Sequence, residues 1–119
     1  MRAYLVYGTF GWLVLTGLLH FIVDVVAQHL RGARAPGLAT SLYYGLNTSF
    51  AFGQVVFGLL CLWLAWRQPG FMGERLAVVL CLTAAAGWLA ITFVFMEYWE
   101  PKLNAAVFAA LLVASVLMS

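Results

Sequence analysis

Residues 16–24, TGLLHFIVD, place an imidazole and a carboxylate four positions apart, His20 and Asp24, inside a segment that otherwise reads as lipid-soluble. Positions i and i+4 share a helix face, so the carboxylate can orient the ring and select its tautomer. Ionisable groups at membrane depth are expensive; they usually turn inward and mark a site. Glu97, at the end of a later apolar segment, is a second acid or base that could face His20. Acid–base groups around an apolar cavity suit proton shuttling on a lipophilic substrate, such as an isomerisation, and in that case His20, Asp24 and Glu97 are the catalytic candidates. The competing structural reading has His20, Asp24 and Asn47 bond to one another only to hold helices together, at about 0.6 kcal/mol per intramembrane hydrogen bond.

Other chemistries find little support. Only His20 and His29 offer imidazoles, and no CxxC, HExxH or carboxylate-x-x-His spacing exists, so neither a metal centre nor a cofactor is expected. Cys61 and Cys81 both fall in apolar segments and read as small buried side chains rather than a disulfide. A formal net charge of +2 with no basic run excludes a nucleic-acid partner.

The elements that carry these residues follow from composition. Of 119 residues, 66% are hydrophobic and 8% are charged, against about 25% charged in a soluble domain. Uncharged runs occupy 3–23, 42–66, 76–96 and 103–119, and about 20 apolar residues suffice to cross a bilayer. The first run is too long for the core of a cleavable signal peptide and is expected to remain as a span. The reading is a single all-α domain, a four-helix transmembrane bundle in up-down-up-down order, with helices at about 3–27, 41–66, 74–98 and 101–118. The link before Pro101 is very short, so the third and fourth helices are expected to be antiparallel neighbours, with Pro101 opening the fourth.

Depth along antiparallel helices sorts the polar residues. His20, Asp24, Tyr43, Tyr44, Asn47, Glu97, Tyr98 and Asn104 all fall in one half of the membrane, while the other half holds little beyond Thr9 and Thr83. Stripes of four-residue spacing, Gly8-Trp12-Thr16-His20-Asp24 and Gly45-Ser49-Gly53, together with the alanines at 105, 106, 109 and 110, are expected as close-packing faces. The small-residue faces of the second and fourth helices offer a route to a homodimer or trimer. The expected site is a half-membrane pocket for a small hydrophobic, lipid- or quinone-like molecule, with Trp12, Tyr43, Asn47, Ser49, Gln54 and Tyr98 as binding residues. An accessory role in a larger membrane complex is the third reading.

Several segments carry a resemblance: 17–20 (GLLH), 44–50 (YGLNTSF), 64–67 (LAWR) and 95–101 (FMEYWEP). In this arrangement the chain resembles small four-span bacterial membrane proteins of the DoxX-like type. The resemblance implies a four-helix membrane bundle in a bacterial inner membrane and brings no catalytic residue with it. Arg2, Arg67 and Arg75 on one side balance Arg31, Arg34 and Lys102 on the other, so the positive-inside rule is nearly silent. The amino terminus tips the expectation towards both termini in the cytoplasm.

Overall fold

The computed structural model describes residues 2–118. Helix α1, Arg2–Phe21, runs without a break into one π-helical turn, Ile22–Val26, and a last short helix, α2, Ala27–Leu30. Together they form one apolar rod over Ala3–Leu30. Helices α3 (Leu38–Arg67), α4 (Arg75–Phe95) and α5 (Trp99–Leu117) complete four rods that are long and apolar enough to cross a membrane. The chain is an integral membrane protein with an all-α, up-down-up-down bundle. In hydrocarbon every backbone polar group must be satisfied internally, and long uninterrupted helices achieve this.

The helix ends differ from expectation in instructive ways. The first rod continues to Leu30, where Gly32 takes φ +61° and closes a Schellman turn: its N–H donates to His29 O at 3.1 Å and the Ala33 N–H to Gln28 O at 3.0 Å. The connection to α3 is therefore only residues 31–37. Helix α4 stops at Phe95 instead of running to 98. The Pro101 ring would meet the carbonyl of Glu97 if the helix were continuous. Met96 and Tyr98 accordingly take extended backbone, and α5 starts at Trp99. Pro101 sits in the first turn, where its missing N–H has no acceptor to lose. In the other connection, Phe71 and Met72 fold inward and are buried, closing that end of the core.

The buried positions repeat in alternating steps of three and four. The repeat runs through 6, 9, 13, 16 and 20 on α1, with Phe10 and Gly17 buried beside it; 47, 51, 54, 58, 61 and 65 on α3, with Phe50 beside it; and 101, 105, 108, 112 and 115 on α5. This is the seam of left-handed helix packing. The expected four-residue stripes depart from it: Gly8, Gly45 and Ser49 are exposed, as are Ala106 and Ala110, and nothing approaches the position a Cβ would take at Gly8, Gly45 or Gly53. The close approach occurs at Gly58, whose added Cβ would lie 2.6 Å from Val14 Cγ2 and 3.1 Å from Phe10 O.

Helix α1 is the centre of the arrangement, packing on α3 and on α5, while α4 packs on α5. Among the described residues, no Cα of α3 comes within 8 Å of a Cα of α4. That gap is bridged at mid-depth by rings. Phe57 and Trp88 stand 5.4 Å apart edge-on; Phe57 packs on Phe10 and Trp88 on Phe108, and Phe10 and Phe108, wholly buried, pack on each other. On the side of the 31–37 loop the gap stays open.

Candidate functional site: a cleft above an aromatic floor

The π-helical turn that begins two residues after His20 carries its partner Asp24, and such turns recur at functional positions. His20 Nδ1 lies 2.9 Å from Asp24 Oδ2, and His20 Nε2 lies 2.8 Å from Asn47 Oδ1. The Asn47 amide is oriented from its other side, because Nδ2 donates to the Tyr43 carbonyl at 2.8 Å. Its oxygen therefore faces the imidazole, and Nε2 must be the donor. On the other side of the ring the Asp24 carboxylate holds Nδ1, so both ring nitrogens are engaged and the ring orientation is fixed. The ring packs on Phe50, with centroids 5.1 Å apart.

This network forms one wall of a cavity of about 710 Å³ between α3 and α4, within the range that holds a drug-sized ligand. Leu46, Phe50, Trp88, Ile91 and Phe95 supply apolar wall, with Trp88 at the aromatic floor. Polar groups line the same cavity: His20, Tyr43, Asn47, Ser49, Glu97 and Tyr98, together with Arg34 from the 31–37 loop. Glu97 and Tyr98 belong to the extended link that Pro101 imposes, and both are exposed.

Arg34 owes its position to the Schellman turn that sends the chain back over the end of α2. Its guanidinium carbon lies 3.4 Å from the Tyr43 ring centroid, a cation–π stack. Its Nε donates to Gln28 Oε1 at 3.2 Å, and Gln28 Nε2 donates to the Tyr43 hydroxyl at 3.2 Å.

Of the expected binding residues, Tyr43, Asn47, Ser49 and Tyr98 line this cavity, and Trp12 and Gln54 do not. Trp12 Nε1 donates to the Asn104 carbonyl at 3.1 Å, tying α1 to α5. Gln54 is buried in the α1–α3 seam, where its Cβ would lie 3.2 Å from a Cβ added at Gly17. Glu97 shares the cavity with His20 without a direct bond between them; the pair His20–Asp24 is the only ion pair among the described residues. Reasoning from sequence passed over Arg34, Phe50 and Trp88. Arg34 carried one usable sign, a charge on the same membrane face as the polar cluster. The opposite half also holds a polar contact that was missed, with the Thr9 and Ser115 hydroxyls 3.0 Å apart in the core.

Among the described residues, no three His, Cys, Asp or Glu side chains converge on a point that could hold a metal ion. Cys61 and Cys81 are buried and form no disulfide, and their thiols interact with each other across α3 and α4. No family model, no curated protein and no solved structure matches this chain.

Proposed function

We propose that this protein binds a single small lipid-like molecule in the cleft between α3 and α4. The observation that carries the reading is the cavity itself. It is about 710 Å³, with an aromatic floor, apolar side chains from α3 and α4, polar groups on the wall that His20 and Asn47 form and beside Arg34 and Glu97, and it is flanked by two helices whose described Cα atoms stay more than 8 Å apart. An amphiphile is the class of molecule that matches such a gradient. The Asp24–His20–Asn47 chain acts as a scaffold: it pins the Asn47 amide, whose second N–H is left over for a ligand oxygen.

Native mass spectrometry of the protein released from mild detergent tests this. A bound amphiphile at one per chain is expected, and Ile91→Trp, which fills the cleft, is expected to remove it. A wild-type spectrum free of adducts, after purification without delipidating steps, would count against the reading.

An acid–base enzyme is the second reading, favoured by the carboxylate-oriented imidazole in the cavity wall. Because both ring nitrogens are engaged, a substrate would have to displace the Asn47 oxygen from Nε2. Conversion of an extracted lipid by wild type but not by His20→Ala supports it; equal conversion by both removes it. A bacterial inner-membrane location with cytoplasmic termini, and a place among DoxX-like proteins, belong to the same proposal. A C-terminal alkaline phosphatase fusion is expected to be inactive, and a superposable DoxX-like structure over all four spans is the matching observation for kinship.

A further inference from the structure

The rim of the cleft bears on the head group of the bound amphiphile, and any head-group assignment rests on the amphiphile reading of the cleft. Two side chains of opposite full charge line the rim, Arg34 and Glu97. They arrive from different sides, Arg34 from the loop after α2 and Glu97 from the link between α4 and α5. They do not pair with each other, and neither pairs with another charged group among the described residues. Opposite charges within one cleft gain by meeting, so a pair held apart invites a molecule that answers both.

The Arg34 side chain is held without being neutralised. Its plane is stacked on Tyr43 and its Nε is bonded to Gln28, so the stem and orientation are set by neutral partners. Among the described residues, neither Nη group has a protein acceptor. A fixed, forked guanidinium of this kind matches the oxygens of a phosphate in a bidentate way. The Glu97 carboxylate likewise has no donor among the described residues and can accept from an ammonium. A purely anionic head would satisfy Arg34 and face Glu97 with a like charge. A neutral head would satisfy neither.

We propose that the cleft selects an amphiphile with a zwitterionic phosphate–ammonium head, its phosphate on Arg34 and its primary ammonium on Glu97, with the apolar tail running along Leu46, Ile91 and Phe95 towards the gap between α3 and α4. A phospholipid of the bilayer and a soluble phospho-amine share this chemistry.

The test titrates the purified full chain with phosphatidylethanolamine, phosphatidylglycerol and diacylglycerol of identical tails, read by native mass spectrometry. Wild type is expected to prefer phosphatidylethanolamine roughly tenfold over phosphatidylglycerol, which lacks one charge-assisted contact, and by more over diacylglycerol, which lacks both. Glu97→Gln is expected to erase the preference over phosphatidylglycerol. Arg34→Gln is expected to weaken both phospholipids and leave diacylglycerol unchanged, and Arg34→Lys to recover part of the loss. Thermal melts of each variant confirm that the fold is kept. Glycerophosphoethanolamine as competitor separates the sources: hundredfold weaker competition identifies a bilayer lipid, and equal competition a soluble ligand of the same head chemistry. Equal wild-type affinity for all three lipids overturns the assignment, as does an unchanged preference in both Gln variants. If none of these lipids binds while an uncharged compound copurifies, the head-group assignment falls and the cleft reading stands.

Discussion

Both nitrogens of His20 are engaged, and that decides what its neighbours contribute. Among the described residues, Asn47 supplies the only acceptor for Nε2. Asn47→Ala therefore leaves a buried N–H with no partner, a loss of about 1–3 kcal/mol, and the melting temperature in detergent is expected to fall accordingly. An unchanged melt would mean that water or the Ser49 hydroxyl replaces the amide. The His20–Asp24 pair was readable from sequence because both residues lie on one continuous helix, where spacing alone determines the shared face. Asn47 was readable by depth, since antiparallel helices bring residues at equal distance from a loop to equal height. Depth says nothing about rotation around the axis. Trp12 and Gln54, named as binding residues without a depth of their own, point into other seams. Arg34 was hidden for a different cause: its location depends on a turn closed by Gly32 and on the reach of a long side chain, neither of which has a periodic signature.

At the level of elements, four-residue spacing was the wrong ruler. Residues four apart on a helix advance by 400°, so a stripe drawn that way drifts about 40° per step, and Gly45-Ser49-Gly53 starts on the exposed side of α3 and does not reach the interface within two turns. The real seam alternates three and four, and Gly58 rather than Gly53 is where α1 and α3 touch. Gly58→Ala is expected to destabilise the protein by about 1–3 kcal/mol, because one of its neighbours is the Phe10 carbonyl, a backbone atom that cannot rotate away. Gly17→Ala, whose nearest neighbour is the Val55 methyl at 3.0 Å, is expected to lose less; melts of the two variants side by side check the order. Element geometry also governs the cysteines. Helices α3 and α4 carry Cys61 and Cys81, and no Cα pair between those helices is within 8 Å among the described residues, beyond what a disulfide spans. Copper–phenanthroline treatment is expected to leave both thiols titratable. A cross-linked monomer would show that α3 and α4 close on each other in solution. The four spans themselves were plain from composition. The break at residues 96–98 was not, since Pro101 lies beyond the segment it interrupts.

At the scale of the whole molecule, the order α3–α1–α5–α4 leaves an arc rather than a closed ring, 48 × 25 × 20 Å overall. Long apolar runs establish how many helices cross and say nothing about which of them touch, so this opening was not visible in the sequence. It makes Trp88 reachable from the side. In a variant with the other four tryptophans replaced by phenylalanine, brominated acyl chains are expected to quench Trp88 strongly; emission insensitive to bromination would mean that the gap is closed. The last wall of the cleft is thus not protein at all. In a bilayer that side faces the acyl chains, so binding of the proposed amphiphile is expected to depend on tail unsaturation and bilayer thickness. For the proposed amphiphile, the order of head-group preference is then expected to be the same in micelles and in nanodiscs, while the absolute affinity changes with the acyl chains around it.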